Sequence, residues 1–135
     1  MARPLRVDAG DEDLDFDPVN WNTLYKGVPF TGEMVEYDEE GNLVEYSVYE
    51  NGSENGPERV WYPDGRLKVE GTLRTGLPQG VWRTWHPNGR LARRTEFDDA
   101  GNQIRIQHWD PEGVLIRDTV YAPMPRTASD RAFEA

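Results

Sequence analysis

Four glycines, Gly41, Gly65, Gly89 and Gly113, recur every 24 residues, and no other feature constrains the fold as tightly. Leu43, Leu67, Leu91 and Leu115 each follow a glycine by two positions. Tyr37, Trp61, Trp85 and Trp109 each precede one by four. A third series, Tyr25, Tyr49, Leu73, Phe97 and Tyr121, keeps the same step. A fixed period of this length marks one supersecondary unit repeated, each copy burying its apolar face against the next.

The unit reads as strand, tight turn, strand, link. In the third copy, Val81 to His86 is rich in β-branched and aromatic residues, which suit a pleated surface. Pro87-Asn88-Gly89 follows, and Asn-Gly between such runs is a hairpin signal because both residues tolerate positive φ. Pro63-Asp64-Gly65 and Pro111-Glu112-Gly113 stand at the same place, whereas Glu39-Glu40-Gly41 keeps only the glycine. Leu91, Arg93, Thr95 and Phe97 then share a face by the period of two. The links, Asn51 to Gly56, Thr75 to Gly80 and Asp98 to Gly101, read as looser polar loops. No segment holds apolar residues at helical spacing over three turns.

The expected fold is all-β: an elongated antiparallel meander of four hairpin repeats, 25–48, 49–72, 73–96 and 97–121, with short capping termini. Stacking of the equivalent aromatics and leucines is expected to supply the core. Residues 1–24 form an acidic arm and cap, in which Phe16, Val19, Trp21 and Leu24 cover the first sheet edge. Residues 122–135 are expected to be a flexible tail, with one helical turn near Ser129 to Phe133.

The pattern Gly80, Trp82, Trp85, Pro87, Asn88, Gly89, Leu91, closing on Phe97, resembles the MORN-repeat variant. The second and third copies match best; the first lacks the turn proline, and Ile104 replaces the glycine found at 32, 56 and 80. The resemblance implies a protein-binding module. Small bacterial proteins built of such repeats are similar to antitoxin or immunity components, and longer eukaryotic MORN proteins are associated with membranes or scaffolding. Because repeats evolve to bind whatever their surface fits, the surface must decide.

With 135 residues and no cysteine, the chain has neither a disulfide framework nor a thiolate metal site. Met1 to Val7 is too short and polar for a signal peptide, so a cytoplasmic location is expected. The formal charge of −10 disfavours nucleic acid as the main ligand. Acid concentrates toward the N-terminus, whereas Arg74, Arg83, Arg90, Arg93 and Arg94 make the third repeat a basic island. An acidic sheet end attracts and steers a basic partner such as a toxin domain, although negative charge also serves plain solubility.

The partner-contact candidates are Asp11, Glu12, Asp13, Asp15, Asp17, Glu36 and Trp82. Trp82 has opposite parity to Trp85 and stands where Met34, Glu58 and Ile106 stand in the other copies. An aromatic at such a variable position suits a binding hot spot. The Asp-x-Asp-x-Asp run resembles the start of a calcium loop, but Phe16 replaces the needed glycine and Asn22 the bidentate glutamate; no metal and no cofactor are expected. An alternative reading is a small enzyme or small-molecule binder using His86, His108, Asp110 and Tyr62 as an acid–base cluster, although no nucleophile stands out. A further alternative is a membrane-surface scaffold, with Arg83, Arg90, Arg93 and Arg94 as an anion or lipid site. Open sheet edges also leave room for homo-oligomers.

Overall fold

The glycine-ended turns are hairpin tips. In the computed structural model, which describes residues 5–121, Gly41, Gly65, Gly89 and Gly113 all have φ near +90°. Each donates its N–H to the carbonyl three residues back, at Asp38, Tyr62, His86 and Asp110. The expected tail, 122–135, lies outside the described residues.

The strands are β1 (Arg6–Asp8), β2 (Leu14–Asp17), β3 (Asn22–Tyr25), β4 (Val28–Pro29), β5 (Gly32–Tyr37), β6 (Leu43–Glu50) and β7 (Ser53–Glu54). They continue as β8 (Gly56–Trp61), β9 (Leu67–Arg74), β10 (Leu77–Trp85), β11 (Leu91–Phe97), β12 (Gln103–Trp109) and β13 (Leu115–Val120). Among the described residues there is no helix. One large sheet runs β1-β5-β6-β8-β9-β10-β11-β12-β13, with β7 beside β6. From β5 onward it is the expected antiparallel meander.

Three features differ from the expectation. The links after β3, β6 and β9 are not loose: Lys26-Gly27, Asn51-Gly52 and Thr75-Gly76 all have positive φ at both residues. That is the two-residue hairpin turn whose twist matches that of the flanking strands. The first edge is covered by β1, which pairs in parallel with β5 through Val7↔Met34. Phe16 to Leu24 instead belong to a separate three-stranded sheet, β2-β3-β4, so a boundary at 24/25 falls inside β3. Finally, Trp61, Trp85 and Trp109 do not stack on one another. Each closes its own hairpin opposite Leu67, Leu91 or Leu115. Equivalent strands are two spacings apart, roughly 9.5 Å, too far for rings whose centroids must lie within about 7 Å.

The core is correspondingly thin. Among the described residues, Val7, Phe30, Val35 and Ile106 are its buried apolar side chains. Phe30 sits between the two sheets, its ring 6.0 Å from Tyr25 and 5.4 Å from Tyr49.

Candidate functional site

Strand register sorts the large sheet into two faces. The back carries Glu33, Tyr46, Arg59, Glu70, Arg83, Arg94, Glu96, Arg105 and Asp118. Its charges largely neutralise one another: Arg6 meets Glu33, Arg94 meets Glu96, and Arg105 holds Asp118 with two hydrogen bonds. Apart from the buried Val35, it is a polar face.

The front face is built differently. Each hairpin pairs a larger residue with a small one: Met34↔Ser47, Glu58↔Gly71, Trp82↔Thr95 and Ile106↔Thr119. Trp82, the largest, lies over Gly71, where a Cβ would come within 2.0 Å of the indole ring. Its Nε1 donates to the Thr72 carbonyl at 3.2 Å, and its ring meets Phe97 edge-on at 6.4 Å. Around it, Val69, Leu73, Thr84, Thr95 and Phe97 line an open depression of about 390 Å³. A second depression of about 380 Å³ shares Leu73 and runs on to Tyr49, Glu54 and Trp21. Trp21 is 74 % exposed and holds a left-handed φ of 59°, a strained state for a bulky side chain.

Beside this apolar floor runs a charged row of successive register partners: Glu36, Glu45, Val60, Val69, Thr84, Arg93, His108 and Arg117. It is acidic at the β5–β6 end and basic at the β11–β13 end. Glu58 and Glu54 add to the acidic end, where Tyr49 Oη donates to Glu54 Oε1 at 3.2 Å. Among the described residues, Glu36, Glu45, Glu54 and Glu58 have no ion-pair partner, nor do Arg93 and Arg117. Burial, reinforced by the charges of Glu54 and Glu45, pushes the Glu58 carboxyl up to about 7. Burial, and then the hydrogen bond and charge of Glu36, also raise Glu45. At the other end, burial and the charges of Arg93 and Arg117 lower His108. Arg93 Nε donates to His108 Nε2 at 2.9 Å, which requires that nitrogen to be unprotonated.

The candidate acid–base cluster is taken up by the scaffold. Tyr62 Oη donates to the Trp85 carbonyl at 2.7 Å, and His86 Nε2 makes the equivalent bond to the Trp109 carbonyl at 2.8 Å. Both are staples between successive hairpins. Asp110 Oδ1 accepts the backbone N–H groups of Glu112 and Val114, fixing its own turn. Among the described residues no three His, Asp or Glu side chains are gathered as metal ligands.

The candidate arginines are not gathered either. Arg83 and Arg94 lie on the back and Arg93 on the front, and Arg90 reaches the Glu112 carbonyl from its turn. In the acidic segment, Asp11 and Asp17 cap turns through Asp13 N and Val19 N, Asp15 accepts from Phe16 N, and Glu12 and Asp13 are exposed. The register places Glu36 and Trp82 on one face. The same face holds Glu45, Glu54, Glu58 and Tyr49, which the sequence reading leaves out; the repeat alignment of Glu58 with Met34, Trp82 and Ile106 is the signal that marks it.

The family model of the MORN repeat variant matches residues 30–51, 54–74 and 78–99, covering the hairpins from β5 to β11. The chain belongs to the MORN repeat variant family. The β12–β13 hairpin continues the sheet beyond the matched MORN repeats. No curated protein sequence and no solved structure gives a significant match. MORN repeats are in general binding modules for proteins and membranes, and the front face is where these present an apolar floor with unneutralised charge.

Proposed function

We propose that this MORN-repeat protein is an antitoxin or immunity protein, cytoplasmic in location, that neutralises a basic toxin domain by occluding it. The observation that carries the reading is the front face of the first hairpins. Glu36, Glu45, Glu54 and Glu58 converge there without a cationic partner, beside the Trp82–Phe97 floor and the exposed Trp21. Glu45, Glu54 and Glu58 are half-buried, and such carboxylates without a counter-ion are costly in the free protein; a basic partner supplies the missing charge. The exposed Trp21 and the half-buried Trp82 beside them match the composition of interface hot spots. The acidic turns from Asp8 to Asp17 extend the negative field and steer a cationic partner.

The test is a pull-down from the native cell with the full chain as bait, read by mass spectrometry. The proposal expects one stoichiometric partner, basic and encoded beside the bait, whose toxicity the chain suppresses. A bait that returns no such partner, or one whose activity is unaffected, contradicts it.

A further inference from the structure

The shape of the front face narrows what part of a partner it takes, given the protein-binding reading above. Every strand from β5 to β12 except the two-residue β7 is paired on both sides, so the face offers mainly side chains rather than free backbone groups. An extended segment laid on it would leave its own N–H and C=O groups without partners, whereas a helix satisfies them internally. The charged row runs across the strands, from Glu45 on β6 to Arg93 on β11, four strand spacings away. At about 4.8 Å per spacing this is roughly 19 Å, the length of a helix of about 13 residues. Between the charged ends lie Val60, Val69 and Thr84, flanked by Leu73, Trp82 and Phe97.

We propose that the front face binds an amphipathic helix of the partner protein, laid across the strands, with its cationic end on Glu45 and Glu58 and its anionic end on Arg93. The apolar stripe of that helix packs on Trp82, Leu73 and Phe97. Because the two ends of the face differ in sign, they select a segment with its charges segregated and fix the direction in which it lies. A uniformly basic helix gains at one end and is repelled at the other.

The test uses purified full-length protein and side-chain-stapled 14-residue helical peptides sharing one apolar stripe. One carries two Arg at one end and two Glu at the other; a second carries Arg at both ends; a third repeats the first with a central proline and no staple. Titration is followed by tryptophan fluorescence. The segregated peptide is expected to bind at least tenfold more tightly than either of the others. In the exposed-site variant Arg93→Glu, preference passes to the doubly basic peptide. A nitroxide on the cationic end should broaden amide signals in Leu43–Glu50 and Gly56–Trp61 and spare Leu91–Phe97. Equal affinities, no binding by any peptide, or broadening spread over both ends overturns the inference. A neighbouring toxin captured in the cell while these peptides fail would retain the neutralising role and remove the helix.

Discussion

Glu58 occupies a position that is apolar in every other hairpin: Met34, Trp82 and Ile106 are its counterparts, and Ile106 is buried. Its folded pKa of about 7 lies above the ordinary 4.5. Between those values the folded protein holds a proton that the unfolded chain has released, so this group's contribution to stability is greatest below pH 4.5, declines as pH rises to about 7, and is flat above it. Glu45, also raised, acts with the same sign. Replacing Glu58→Met should therefore raise Tm by a few degrees at pH 8, on the order of 1 kcal/mol after allowing for partial exposure. It should also flatten the dependence between pH 4.5 and 7, as thermal melts across that range will record. A second residue-scale prediction concerns Gly71. The Gly71→Ala change drives a methyl into the Trp82 ring and should cost roughly 1–3 kcal/mol. In a Trp82→Leu background the cost should fall by more than half, which a double-mutant cycle in urea measures. The parity of Trp82 was legible in the sequence. Its glycine seat was not, because the contact depends on which residues two different hairpins bring together.

At the scale of elements, the turn residues carried most of what was legible. Gly41, Gly65, Gly89 and Gly113 mark tips because glycine alone adopts a φ near +90° at small cost. The tight links were read as loose loops: Asn51-Gly52 is itself a hairpin signal, but the polar residues after it suggest a longer loop, and Thr75-Gly76 carries no such signal. The pairing of β1 with β5 was not legible: three residues hold too little periodicity to announce a strand. Side chains at the tips do structural work that their chemistry disguises. His86 ties the third hairpin to the fourth as Tyr62 ties the second to the third. His86→Ala should lower stability by about 1 kcal/mol, visible as a fall in Tm. A catalytic histidine would instead lose activity with Tm unchanged, so the melt separates the two roles.

At the scale of the molecule, the large sheet with its thin core has two broad faces, and it assigns them different tasks. The back pairs most of its charges in place; the front keeps acid and base apart across an apolar floor. Net charge and the acidic N-terminal half were legible in the sequence, but the segregation was not, because it emerges only when register lines up Glu45, Val60, Val69, Thr84 and Arg93. The most direct measurement is the calorimetric Kd of the captured partner for three proteins at 150 mM salt: wild type, the front-face variant Glu36→Lys/Glu45→Lys, and the back-face variant Glu70→Gln. The account predicts at least a tenfold loss, about 1.4 kcal/mol, for the front-face variant and no change for the back-face one. Undiminished binding by the front-face variant, or a loss confined to Glu70→Gln, would contradict it.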